Sequence, residues 1–587
     1  MTEDQTSSLD HTSSLDLPDR PEAPADNPST RRWIGFGLLA VGVAILLSAG
    51  WVSWRTYQAY HHLKAAAEQV SLLQAAVKNL DDIDLTKVDA AVAAMQSNAT
   101  DARDATSDPL YRLAGRIPLL GPNLRAISDI ARTVDGLAKT TAPSLIEVAT
   151  SVQPSALAPK NGSIDVGPIA RAADRLQAAD AQVTAAITQM ADIDRSQIVR
   201  SVADAANTLQ SKLTSLHSTT HSAALIGRLA PPMLGAQGVR NYLVVFQNLA
   251  EPRATGGIFG SYALLNVNNG KLQIVDQGSG SRDIGTFQPP LALPAGMSPV
   301  LYGQLPGQYP TDVNLTPDFP TAAALIAKMY TARKHVQVDG VLALDPVTLS
   351  HLLVGLKPID LGKGLTLTSS DISSLLMSKA YALYPNGSDA FARDAFLALA
   401  TEKAFTAATG PQLNATTAVR GLRKGVAEHR ILLWSTRPSE ETDLLTTGIA
   451  GSLPTSDGSE PVIGVFRNDG TGGKLGYYAS GSIALTAGSC SPSGQRNLTL
   501  TITMSYSAPD SGLSAYVLGY AKAGPYVLRT NVLVFAPLTG DLTALQVDGK
   551  SVPVVWAEQD GRKVGMITVD QKPGSPTAVV TGTLTIA

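Results

Sequence analysis

The chain reads as a multidomain α+β protein: a single transmembrane helix, an α-helical stalk, an α/β domain and a C-terminal all-β, sandwich-like module. Three observations predict this. Residues Trp33–Trp54 form a run without charge. Alanine-rich stripes at helical spacing follow it to about residue 229. Beyond Pro231-Pro232, short β-branched runs first alternate with helices and then replace them. The expected boundaries are 1–30 for a disordered tail, 31–55 for the membrane helix, 56–230 for the stalk, 231–425 for the α/β domain and 426–587 for the β-rich module.

The tail is acidic and rich in Ser, Thr and Pro, and repeats TSSLD at Thr6–Asp10 and Thr12–Asp16. It offers too little apolar surface to offset the entropy of ordering. The following run is long enough to cross about 30 Å of hydrocarbon at 1.5 Å per residue, and Trp33, Trp51 and Trp54 stand at its ends. It ends Gly50-Trp51-Val52-Ser53-Trp54-Arg55, which is no cleavage site, so it predicts an uncleaved anchor. Arg31 and Arg32, with Arg20 upstream, outweigh Arg55 and Lys64 on the far side. That bias predicts a cell-membrane protein crossing once, with a cytoplasmic N-terminus and an extracytoplasmic bulk.

In the stalk, Val88, Val92 and Met95, then Val183, Ile187 and Met190, then Ile198, Val202, Leu209, Leu213 and Leu216 recur at spacings of three, four and seven. Such narrow stripes suit a bundle or coiled coil, and leave self-association through the stalk open. Breaks fall at Asp108-Pro109, at Pro118–Pro122 and over Gln153–Gly167.

After Pro231-Pro232, Tyr242–Phe246 is a buried-strand pattern, and Asn268-Asn269-Gly270 between Tyr262–Val267 and Leu272–Val275 signals a hairpin. A proline-rich stretch, Phe287 to Pro320, is expected to be functional or disordered. Thr321–Tyr330, Pro346–Leu356, Ser370–Ala382 and Asp389–Thr409 read as helices, and Val338–Leu344 as a strand. From about Glu428 strands dominate, beginning with Arg430–Ser435 and Val462–Phe466 and ending with Ala578–Ile586.

Composition excludes several classes. The formal net charge is −3 and charged residues make up 16%, so nothing points to a nucleic-acid partner. Cys490 is the sole cysteine, which rules out an internal disulfide and a cysteine-based metal site. His217 and His221 share a helix face, but no glutamate lies between them and no third ligand is near in sequence, so solvated histidines are expected. Asn468–Lys474 (NDGTGGK) lacks the spacing of a phosphate loop and reads as a hairpin loop.

The segment Asn241–Lys271 carries Gln-Asn at a strand end, then Ala-Glu-x-Arg-x-Thr-Gly-Gly and a hairpin. With Val338–Val341 and Asp345-Pro346 downstream, it resembles a bacterial membrane-anchored family known only as domain of unknown function 4012. That resemblance implies the plan of tail, anchor, helical stalk and ectodomain. The order of elements is also similar to the LytR-CpsA-Psr family, anchored enzymes that transfer lipid-linked glycopolymers to the cell wall. This second resemblance implies a LytR-CpsA-Psr-like α/β domain, with Arg253, Arg282-Asp283 and Arg393 at matching positions. The aspartate of that family's first arginine-serine-aspartate element is missing, since Arg253-Ala254-Thr255 stands there.

The candidate anion- or ligand-binding residues are Glu251, Arg253, Thr255, Gly256, Gly257, Arg282, Asp283 and Arg393. Arginine forks bind phosphate or carboxylate in two places, and a Gly-Gly pair lets backbone N–H groups approach an anion. The alternative for the first five is a buried Glu251–Arg253 pair with a glycine turn. No catalytic residue and no resident cofactor are identified; Asp276 and Asp283 are the only metal candidates, and Mg²⁺ enters only with the phosphotransferase reading. The expected function is to bind or organise a cell-envelope polymer, a surface polysaccharide or polyprenyl-linked glycan. The alternatives are glycopolymer transfer and a structural scaffold.

Overall fold

A computed structural model describes residues 28–78, 85–151 and 162–586, apart from 409, 411, 459, 491, 493, 521 and 522. Most of the expected tail, with both TSSLD repeats, lies outside the described residues, as does most of the expected break at Gln153–Gly167.

Helix α1 runs Pro28–Lys78 without interruption, and its Leu38–Gln69 stretch is long and apolar enough to cross a membrane. It is joined by α2 (Leu85–Ser107), α3 (Pro109–Ala114), α4 (Gly121–Ser151), α5 (Gly167–Ala191) and α6 (Arg200–Met233). Val183, Ala186 and Met190 of α5 pack against Ala206 and Leu213 of α6 and Ile130 and Leu137 of α4. Ala66, Ala99 and Ala138 let α1, α2 and α4 approach closely around Met95. The stripes read from sequence are therefore the inner face of a bundle. Pro231 and Pro232 lie inside the last turn of α6, which ends at Met233.

The first sheet has the order β3-β2-β1-β4-β7. Its strands are β1 (Arg240–Arg253), β2 (Gly256–Asn268), β3 (Lys271–Ser279) and β4 (Gly340–Leu344), followed after a small hairpin, β5 (Ile359–Gly362) and β6 (Leu365–Leu367), by β7 (Leu432–Ser435). β1 pairs antiparallel with β2 and parallel with β4, Tyr242 facing Gly340 and Phe246 facing Leu344. The β2–β3 turn places Asn269 (φ 46°) and Gly270 (φ 79°) in the left-handed region, as the Asn-Gly signal requires. α7 (Phe319–Lys334) covers one face. α8 (Pro346–Leu352), α9 (Ala390–Ala408), α10 (Ala415–Ala427) and α11 (Pro438–Leu444) complete this layer.

The remaining strands form a sandwich. They are β8 (Gly464–Asp469), β9 (Ala479–Cys490), β10 (Arg496–Tyr506), β11 (Leu528–Phe535), β12 (Gly540–Val547), β13 (Lys550–Ser551), β14 (Val555–Gln559), β15 (Arg562–Gln571) and β16 (Thr577–Ile586). One sheet is ordered β13-β12-β16-β10-β9 and the other β14-β15-β11-β8. Leu500, Ile502, Val532, Val534, Leu545 and Val580 fill the space between them.

Three expectations need correction. Leu432–Ser435 pairs with β4, so the first sheet extends past residue 425 and the sandwich begins at β8. The sandwich is also not a separate module. Along β11, Val532 and Val534 face its own core, while Leu533 and Phe535 join the core of the first sheet with Val564, Phe259 and Phe319. A strand buried on both faces is continuously apolar, which explains the run VLVF. Finally, the Phe287–Pro320 stretch is packing material. Phe287, Met297, Leu301, Tyr302, Val313 and Leu315 are buried in that shared core.

Candidate functional site

The signature segment is a hairpin, not a loop following a strand. β1 continues to Arg253, which pairs with Gly256 across a two-residue turn, Ala254-Thr255. Gly256 has φ 138°, and a Cβ on Gly257 would stand 2.3 Å from the Asn248 carbonyl oxygen, so both glycines are demanded by the turn. The Gly257 N–H donates to Gln247 Oε1 at 2.9 Å and is not free to cradle an anion. Asn314 donates to Thr255 Oγ1 at 3.0 Å and to the Gly257 carbonyl at 2.8 Å. The Ala254 N–H donates to Asn468 Oδ1 at 2.9 Å, which ties the hairpin tip to β8.

Arg253 is buried within the same junction. Its guanidinium reaches Glu251 at 2.9 Å and Asp312 at 2.8 Å. The second oxygen of Glu251 accepts from the buried ammonium of Lys474. Burial pushes the Glu251 carboxyl up, but the Lys474 and Arg253 charges outweigh it and hold the group below its usual range. Burial likewise opposes the charge on Lys474, and Glu251 more than compensates, raising its pKa. Lys474 lies in a crossing between the two sheets of the sandwich, since β8 pairs with β11 and β9 with β10. The expected hairpin loop at Asn468–Lys474 is corrected accordingly.

On the other side of Glu251 and Lys474 lies a cleft of about 430 Å³. Its walls are β1, β2 and β3, the first turns of α9, and Tyr516. Arg282, Arg393, Glu251 and Lys474 all line it. Arg393 is only 3% exposed. Its guanidinium lies 3.6 Å from the Tyr516 ring centroid and donates to the Tyr384 carbonyl at 3.3 Å. Among the described residues no carboxylate is within ion-pair distance of it. Tyr516 stacks at 5.5 Å on Tyr381, whose hydroxyl accepts from Asn248. At the mouth, Arg282 pairs with Asp283 at 2.9 Å and Asp394 at 3.1 Å and lies 5.7 Å from the Phe391 ring. Phe391 is 75% exposed.

The expected residues are thus divided. Glu251, Arg282 and Arg393 meet in the cleft, with Asp283 holding Arg282. Arg253 is turned away behind Glu251, and Thr255 and Gly256 line a separate hollow with Asp345 and Arg430. The three arginines therefore do not converge on one diphosphate-sized point. Asp276 and Asp283 are taken up by protein donors: Asp276 accepts from Tyr330 at 2.8 Å and Tyr262 at 3.3 Å, and Asp283 accepts from the Ser279 N–H at 2.6 Å. Sequence reasoning missed Lys474, Tyr381 and Tyr516. The one available signal was a lysine closing a glycine-rich turn.

Residues 237–381 match the family model described as protein of unknown function (DUF4012). The hairpin signature lies inside this stretch, and Arg393, Lys474 and Tyr516 lie beyond it. No curated protein matches the chain.

Proposed function

We propose that the stretch belonging to this family of unknown function forms the floor of an anion-binding cleft, carried by a protein anchored in the cell membrane with its head outside the cytoplasm. The ligand class is an acidic or phosphorylated sugar, such as the end of a cell-envelope polymer or of a polyprenyl-linked glycan. Arg393 carries this reading. A guanidinium that is nearly fully buried with no carboxylate in hydrogen-bonding contact, its neighbour Asp394 being paired to Arg282 instead, is costly, and an anion entering the cleft would relieve that cost. The Arg282 fork at the mouth adds a second cation. Phe391 adds an exposed ring face on which a sugar can stack.

The test is calorimetric titration of the full chain in detergent micelles with two probes, a polyprenyl diphosphate and an acidic oligosaccharide. At least one should bind. Arg393→Gln and Arg282→Gln should each weaken it at least about tenfold, roughly 1.4 kcal/mol. Arg529→Gln, on the outside of the sandwich, should not. Absence of binding to either probe, or equal binding by all three variants, would remove the reading.

A further inference from the structure

We infer that the stalk holds a divalent metal ion between α5 and α6, on Asp180, His217 and His221. Helical spacing puts the two histidines on one face of α6, and packing of α5 against α6 brings Asp180 to both. The Nδ1 atoms of His217 and His221 each lie 3.1 Å from a different oxygen of that carboxylate. All three ligand atoms lie within 4.8 Å of one another. Ligands at 2.0–2.2 Å from a tetrahedral Zn²⁺ are separated by roughly 3.3 Å, so little movement is needed to admit an ion. The carboxylate is positioned from behind by the fully buried Thr220, whose hydroxyl donates to Asp180 Oδ1 at 2.8 Å. Such outer-shell bonds orient metal ligands. Both histidines are partly exposed, leaving a path for the ion and room for water as its fourth ligand. Two imidazoles with one carboxylate favour Zn²⁺ or a similar transition ion over Mg²⁺ or Ca²⁺.

The test uses the full chain in micelles, stripped of metal and titrated with Zn²⁺ against a chromophoric chelator. One ion per chain should bind, and the unfolding temperature should rise with it. His221→Ala, the more exposed of the two histidine positions, and Asp180→Asn should lose both effects. An ion held equally by wild type and both variants would place it elsewhere, for instance at the exposed Cys490. That result, or no binding, overturns the inference.

A separate observation carries a second inference. We infer that the α3 segment and the turn after it sit in the bilayer's headgroup layer as a collar around the anchor; this rests on the membrane-spanning reading of α1. Tyr111, Ala114 and Leu124 pack on Val52, and Arg55 donates to the Asp104 carbonyl at 2.8 Å, so the base of the bundle is level with the end of the apolar run. From Trp33 to Trp51 a helix advances about 27 Å, close to the hydrocarbon thickness, which puts residues 51–55 at the interface. At that level Leu110, Leu113, Ile117, Leu119 and Leu120 are exposed, Leu119 by 90%. A patch of this kind next to a spanning helix has lipid as its natural cover. Arg112 and Arg116, both exposed between these side chains, can reach headgroup phosphates.

A fluorophore on Leu119→Cys in a Cys490→Ser background, in vesicles containing brominated lipid, tests this. It should be quenched, as should one at Leu46→Cys, whereas one at Arg132→Cys higher in the bundle should not. Quenching at 46 but not at 119 sinks the collar alone; quenching at neither sinks the anchor as well.

Discussion

Asp469 ends β8 beside the Glu251–Arg253–Lys474 cluster, and one of its carboxylate oxygens is buried without a partner. Burial, followed by repulsion from Glu251, pushes its pKa up to about 6. A folded-state value above the unfolded one means that the native state holds the proton more tightly. The contribution to stability is therefore complete below the unfolded pKa of about 4 and is lost as pH rises through 6. Asp469→Asn keeps the acceptor for the Thr471 and Gly472 N–H groups and cannot ionise. It should be more stable than wild type at pH 7.5, by on the order of 2 kcal/mol, and no more stable at pH 4. Denaturant melts at the two pH values decide this; an unchanged difference between them refutes it. Lys474 makes the opposite case. Lys474→Met would leave Glu251 buried with only Arg253, and should cost about 3 kcal/mol in the same assay.

At the scale of elements, the β1–β2 hairpin is the clasp of the molecule, since its tip touches the 310–316 segment and β8 together. Gly257→Ala would drive a methyl against the Asn248 backbone. It should lower stability by about 2–3 kcal/mol, read as a shift in thermal midpoint, whereas Gly260→Ala, which meets nothing within 4 Å, should be nearly neutral. Elements of this kind were largely legible. Asn269-Gly270 announced its turn, the helical stripes announced the bundle, and the β-branched run Ala578–Ile586 announced β16. The reach of β1 to Arg253 was not legible, because polar residues at a strand end look like a loop until a partner pairs with them. The site was legible only in part. Arg393 and Arg282 stand out as arginines, but Lys474 meets Glu251 across 223 residues and Asp180 meets His221 across 41, and no local pattern records contacts made by packing.

At the scale of the whole molecule, the four-stranded sheet is shared between two cores. A chain cut at residue 460 would expose the partners of Leu533, Phe535 and Val564 and remove Lys474 from Glu251. It should aggregate or be digested rapidly in limited proteolysis, and the intact head should melt in one cooperative transition; two separated transitions would show independent domains. The head is fixed to the bundle in the same way. Arg228 of α6 forks onto Asp443 with two 2.6 Å bonds, and the fully buried Arg240 of β1 donates to the Pro232 carbonyl of α6 at 3.2 Å. On the proposed membrane-spanning reading of α1, its 51 residues, about 77 Å of continuous helix, carry this connection into the lipid. On that reading, a tilt of the anchor, from a change in bilayer thickness or a neighbour pressing on it, would swing the cleft through an arc like the tip of a mast.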